Sequence, residues 1–315
     1  MSACRGPLEF IFDNNVYILS STETTRLKWQ KIDAGLPTAR FGHSCVVIGD
    51  RLVLFGGIND KGICQNDTWV GDIQMQDINS ITLSWRLLDV GSNAPRPCGA
   101  HAACCIGNSK MLIHGGIGLS GLRLGDTWIL NLSENLTFGS WQEIVTNSSS
   151  SSRSGHSLTH LGGTRTVLFG GRAIGYQVLS DLWLFDTSED HWRWIHLSFE
   201  PQDVPHGFSL PPVGHSVTLI LGGRLLIYEE KIHTGTGKMI FGCWTSVQYH
   251  QQQCNLLLSG KKKSSTKCGE DLKFKAIGQT LLYLFRGMVD GLLQPAEASG
   301  LQFDGGLFLV ELLHC

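Results

Sequence analysis

Residues 39–57 read ARFGHSCVVIGDRLVLFGG, and the same phrase returns at 98–116 as CGAHAACCIGNSKMLIHGG and at 153–171 as RSGHSLTHLGGTRTVLFGG. Each is followed by an Asp-x-Trp step (NDTWV, GDTWIL, SDLWLF) and then by a second tryptophan segment (SWRLL, SWQEI, WRWIHL). The landmarks keep register. His43, His101 and His156 recur at steps of 58 and 55, and Gly57, Gly116 and Gly171 at steps of 59 and 55. From the second Gly to Asp67, Asp126 and Asp181 the gap is 10 each time. A constant gap implies a fixed strand–turn–strand unit, and the variable gaps elsewhere imply loops of free length.

Each unit reads as four strands: His43–Val47, Leu52–Phe55, a third opening at Thr68–Val70, and Trp85–Leu88. The pieces are short and apolar, lack helical periodicity and are punctuated by Gly. The pairs Gly56-Gly57, Gly115-Gly116 and Gly170-Gly171 are expected at a sharp turn with positive φ, which Gly adopts cheaply. Trp69, Trp128 and Trp183, with Trp85, Trp141 and Trp194, are expected to fill the gap between sheets packed face to face. His43, His101, His156 and His215 invite a metal reading. No carboxylate recurs beside them to orient ligands, so a repeated structural hydrogen bond is expected instead.

Four-stranded units at this spacing resemble kelch repeats, and the RFGHS and RSGHS openings with LVLFGG are similar to plant F-box/kelch proteins, including the kelch halves of the Zeitlupe-type light-sensing family. The resemblance implies an all-β propeller of stacked blades. Three blades are intact, at 35–91, 92–147 and 148–200, with partial blades at 1–34 and 277–315 and the start of another at 201–228. Residues 229–276, with Gln251-Gln252-Gln253 and Lys261-Lys262-Lys263, are expected to be irregular or disordered. Glu229-Glu230 stands where the Gly pair is expected, and Arg286 stands where another Gly is expected. Incomplete closure of the ring is a corollary.

The composition agrees with this class. Gly is high, 38 of 315 residues, and charged residues are low at 17%, which suits tight turns and not long surface helices. The formal net charge of −2 gives no pull towards nucleic acid or anionic membrane. No apolar run reaches the ~20 residues of a membrane helix, and Met1–Phe12 lacks a leader's apolar core. A cytoplasmic or nuclear protein is expected. The 10 cysteines lack zinc spacing and read as small buried thiols.

For function, the resemblance implies a protein-binding module, the substrate-recognition half of a ubiquitin ligase adaptor, with no cofactor, metal or catalytic residue. The loops after each Gly pair (58–66, 117–125 and 172–180) are the expected partner face, carrying Asn59, Asp60, Leu119, Leu122, Arg172 and Tyr176. Arg40 and Arg153, three residues before the motif His, are expected either to point into that face or to satisfy backbone carbonyls. Cys98 and Pro212 break this ring of arginines, and Arg96 lies two residues out of register. The family's helical F-box is not seen before the repeats, so this chain alone is not expected to recruit the ligase scaffold. Two other readings are a truncated or aberrantly spliced product without its own role, suggested by Glu229 and Arg286, and a kelch-fold metalloenzyme, for which no Tyr–Cys pair or E-x-x-x-D-x-x-x-H string is present.

Overall fold

The structure, a computed structural model, describes residues 15–23, 26–33, 35–77, 80–148, 150–188, 192–198, 215–220, 224–231, 238–245, 280–285 and 307–312. Strands β1 (Asn15–Glu23) and β2 (Arg26–Asp33) form an antiparallel pair. The first intact blade follows: β4 (Ser44–Ile48), β5 (Arg51–Asn59), β6 (Cys64–Asp77) and β7 (Ser80–Leu87), with the short β3 (Arg40–Phe41) also paired to β5. The second is β8 (Ala102–Ile106), β9 (Lys110–Ile117), β10 (Arg123–Leu132) and β11 (Gly139–Glu143). The third is β12 (Ser157–Gly162), β13 (Arg165–Phe169), β14 (Leu182–Asp186) and β15 (Arg193–Leu197). Three more strands, β16 (Ser216–Ile220), β17 (Arg224–Lys231) and β18 (Lys238–Thr245), make a further sheet, and β19 (Thr280–Phe285) pairs with β20 (Leu307–Leu312).

Successive blades meet through their first strands: β4 lies against β8, β8 against β12, and β12 against β16. The core is therefore a series of seams. On β9, Met111 and Ile113 face the first blade, packing with Val53, Phe55 and Trp141, while Leu112 between them faces the third, packing with Leu168, Phe185 and Trp194. Alternate side chains of one strand thus serve opposite neighbours, which is why these strands read as unbroken apolar runs. Burying each such side chain stabilises the fold by about 1.5–3 kcal/mol. The third seam repeats the scheme with Val167, Phe169 and Leu182 against Leu225 and Ile227.

Fourth-strand tryptophans fasten the first two of these seams. Trp141 packs on Phe55 at 4.9 Å between ring centroids and donates its indole N–H to the Thr68 hydroxyl of the preceding blade. Trp194 does the same one blade on, with His114 at 5.0 Å and the Thr127 hydroxyl.

The sequence expectations need two corrections. The Gly pairs are not sharp turns between strands. In the first two blades they lie inside β5 and β9 as bulges, with φ of 63° and 98° at Gly56-Gly57 and 63° and 112° at Gly115-Gly116. The kink lets the strand run past the motif His: a Cβ on Gly57 would lie 2.8 Å from that of His43, and one on Gly116 2.9 Å from that of His101. Where Glu229-Glu230 replaces the pair, β17 continues in straight register with β18 to Lys231. That strand pair is also the second correction. Lys238–Thr245 falls within the stretch expected to be irregular, yet it completes a three-stranded sheet because Met239, Ile240, Phe241 and Trp244 supply strand-forming residues opposite β17. Arg286 and the Gln and Lys runs lie outside the described residues.

Candidate functional site

Behind each Gly pair a turn projects between the second and third strands of its blade. In the first blade Asn59 closes it, its side-chain oxygen accepting the N–H groups of Lys61 and Ile63 at 3.0 and 2.9 Å. Asn59 is thereby committed to the turn, and Asp60 is left exposed. The second and third blades instead form short 3-10 turns, Leu119–Gly121 and Ile174–Tyr176. The fifth residue past each Gly pair is left-handed: Gly62 at φ 75°, Gly121 at 78° and Tyr176 at 61°. Two glycines and a tyrosine thus share one backbone role, and the tyrosine holds it at a cost of about 1–2 kcal/mol.

These two turns lean together. Leu119, Leu122, Ile174 and Tyr176 are 64%, 54%, 70% and 72% exposed, and they line a cleft of about 500 Å³ with Arg123. The Arg123 guanidinium lies 5.5 Å from the Tyr176 ring centroid and so ties the two turns to each other. The result is an exposed apolar cleft on a sheet scaffold. A second cavity of about 360 Å³ shares Leu122 and Arg123 with it and is otherwise lined by Arg96, Leu124, Gly125, Asp126, Ser150 and Ser152. Leu119, Leu122, Tyr176 and Arg96 are therefore brought together. Arg172 is half-buried at the base of the third turn, where its backbone pairs with Ser154 and Val178.

Arg40 and Arg153 lie elsewhere. Their side chains are 4% and 0% exposed, and each bonds a carboxylate of its own blade through two nitrogens: Arg40 to Asp67 at 2.5 and 2.9 Å, Arg153 to Asp181 at 2.7 and 2.8 Å. Each also donates to the first glycine's carbonyl, Gly56 or Gly170, at 3.0 and 2.9 Å. Of the two roles expected for these arginines, the backbone-satisfying one is what the geometry places here, since a fork this fully bonded has no donor left for a partner. The carboxylate in turn accepts the indole N–H of Trp69 or Trp183. Burial opposes ionisation of Asp181, but hydrogen bonds from Arg153 and Trp183 and the Arg153 charge outweigh it and hold its pKa below the usual value. These first-set tryptophans sit half-buried beside their aspartates, apart from the more buried Trp128.

Two of the four motif histidines, His101 and His215, make a hydrogen bond across a seam. Ser44 bonds Nε2 of His101 in the next blade at 2.7 Å, and Ser157 bonds Nε2 of His215 at 3.0 Å. Ala102 stands where the middle blade's serine would be, and His156 opposite it is buried with both ring nitrogens unpartnered. Burial lowers the pKa of His101 to about 3 and of His215 to about 4, with the His43 charge adding to the first. His156 is driven well below the usual range by burial and then by His114 and Arg153. Among the described residues no group of three or more His, Cys, Asp or Glu is arranged to hold a metal ion, and no helix is long and apolar enough to cross a membrane.

Sequence reading missed Ile174, Arg123 and Asp126. Ile174 and Leu119 are each three residues past their Gly pair, so aligning the turns position by position would have found the apolar pair.

Comparison with known proteins follows the same repeats. Residues 76–253 match the KLHDC2/KLHL20/DRC7 Kelch-repeats domain. The chain is 46% identical over 326 residues to an F-box/kelch-repeat protein of Arabidopsis thaliana, covering 98% of this chain and 67% of the relative. It is 30% identical over 228 residues to a putative adagio-like protein of Oryza sativa subsp. japonica, covering 70% of this chain but only 34% of that protein. Among solved structures, that titled "Structure of YjhT" superposes with a TM-score of 0.50 at 18% identity, over 68% of this chain and 65% of the other, which bears on the fold alone. The chain belongs to the kelch-repeat family, as a β-propeller related to the plant F-box/kelch proteins.

Proposed function

We propose that this chain is a non-enzymatic protein-recognition propeller, the substrate-binding part of an F-box-type ubiquitin ligase adaptor, and that its partner docks on the cleft between Leu119, Leu122, Ile174 and Tyr176. The observation that carries this reading is the cleft itself: four large apolar side chains, each more than half exposed, contributed by equivalent turns of neighbouring blades. The F-box/kelch relative supports the ligase part of the reading, because its name pairs the two elements.

The test is a comparison of captured proteins. The wild-type chain and the Leu119→Ser/Ile174→Ser variant serve as bait, with Val145→Ser, 87% exposed and outside the cleft lining, as control. Both altered sites are exposed, so the fold should be unaffected. Proteins held by the wild type and by the control should be lost from the double variant. An unchanged set would remove the cleft from the binding site. When the chain is joined to an F-box and a cullin scaffold is supplied, the bound proteins should acquire ubiquitin, and modification that persists in the double variant would sink the ligase part.

A further inference from the structure

In the first and third blades the repeat carboxylate holds an arginine from its own blade. The middle blade departs from this. Cys98 occupies the arginine's place, with the same backbone bonds: its carbonyl accepts Gly57 N–H at 2.8 Å, as that of Arg153 accepts Gly116 N–H at 2.8 Å. Asp126 still accepts the Trp128 indole N–H through Oδ2 at 2.8 Å. Its Oδ1 has no donor among the described residues, and Asp126 lines the 360 Å³ cavity. That cavity lies where a guanidinium would go. In the flanking blades the guanidinium touches the residue two before the arginine, Thr38 (3.4 Å) or Ser151 (3.2 Å), and the equivalent residue here, Arg96, also lines the cavity.

We infer that Asp126 receives an arginine side chain of the bound partner, set beside an apolar side chain in the adjoining cleft. This rests on the proposed recognition face and specifies its ligand: a protein segment carrying an apolar residue next to Arg. The fold already shows in two blades the bond such a guanidinium makes, a two-nitrogen fork on the carboxylate. The further bond to the Thr38 or Ser151 hydroxyl has no counterpart here, because Arg96 stands in that place and its side chain has no acceptor. The partner's arginine completes from outside what Arg40 and Arg153 complete from within. Leu122 and Arg123 line both cavities, so one segment reaches both. Arg123 and Arg96 both line the cavity beside Asp126 and neither has an ion pair among the described residues, although Arg123 is held against the Tyr176 ring and the Gly121 carbonyl. The positive charge of Arg96 therefore opposes an incoming cation.

The probe is acetyl-leucyl-arginine amide, titrated into the labelled protein while the Trp128 indole N–H signal is followed by NMR. That proton sits on the carboxylate in question. The signal should shift saturably, and the dissociation constant should weaken at least about tenfold in Asp126→Asn, the worth of one hydrogen bond to a charged group. Cys98→Arg should abolish the response, because it fills the site from within as Arg40 and Arg153 do. It should also raise the melting temperature, which shows that the variant folds. Arg96→Ala should tighten binding. A Trp128 signal that ignores the probe, or one that shifts equally in Cys98→Arg and in the wild type, overturns the inference. Because the titration needs no natural partner, its failure is separate from failure of the capture experiment.

Discussion

The middle and third blades share strand order, register and tryptophan wedge, yet they differ in how they satisfy their polar groups. The third has a closed set: Arg153 on Asp181, Trp183 on the same carboxylate, and Ser157 on the next histidine. The middle has Cys98, Ala102 and His114 where the third has Arg, Ser and Phe169. Its strands pair as fully as the third's. Blade architecture is therefore carried by apolar seams and backbone ladders. The polar side chains are an added layer that one blade can lose and a ligand can use.

The largest effect should come from acid, which acts on the seams of both blades. His101, His114, His156 and His215 are all held well below the ordinary histidine pKa, burial being the first cause for each. The unfolded chain takes up these protons near pH 6.5, and the folded chain refuses them until about pH 4 or lower. Stability is therefore full above pH 6.5 and falls as pH drops through that window, by about 1.4 kcal/mol per pH unit for each histidine. Urea midpoints measured from pH 7.5 to pH 4.5 check this. His114→Phe, which copies Phe55 and Phe169 into the middle blade, should flatten the slope. An unaltered slope would place the sensitivity elsewhere.

Next in size is Arg153→Ala. It leaves the Gly170 carbonyl and the partly buried Asp181 without their cation, a loss of about 3 kcal/mol in denaturant unfolding. A loss under about 1 kcal/mol would mean that the third blade tolerates the middle blade's composition without adjustment, and that Cys98 is no special arrangement.

How much of this was legible beforehand differs by layer. The blades were readable because each seam needs the same large rings and the same left-handed glycines at fixed offsets, so Gly57, Trp141 and Trp194 announce themselves by recurrence. The Arg–Asp bond was not readable. Arg40 and Asp67 lie 27 residues apart, and nothing in their spacing says whether a buried fork or an exposed one results. The bulge was mistaken for a turn because both need positive φ. Lys238–Thr245 was missed because its strand is framed by polar residues and lacks the repeat's glycine mark. The cleft was half visible: the apolar residues of the second turn stood out, but Ile174 gains meaning only when the second and third turns lean together.

A smaller change should repair the middle blade. Ala102→Ser places a hydroxyl where Ser44 and Ser157 have theirs, opposite the unpartnered ring of His156. One satisfied buried nitrogen is worth about 1 kcal/mol, seen as a higher melting temperature. The same substitution should raise the His156 signal from an unbonded to a bonded nitrogen shift in NMR. No gain in stability would mean that His156 already has a partner in solution.

The smallest effect on stability should come from Tyr176→Gly, and its value lies in that smallness. Glycine holds the same left-handed position at Gly62 and Gly121, so the change relieves about 1–2 kcal/mol of backbone strain. Against this stand the entropy of an added glycine, about 0.5–1 kcal/mol, and the stacked Arg123, about 0.5–1 kcal/mol. The terms nearly cancel, and calorimetry should show a melting temperature close to the wild type's. Capture of the partner should nonetheless fail, because one wall of the cleft is gone. A residue that strains the backbone and contributes no net stability is kept for what it touches. If Tyr176→Gly unfolds the chain, or leaves capture intact, the tyrosine belongs to the scaffold, and the third turn is no different in kind from the first.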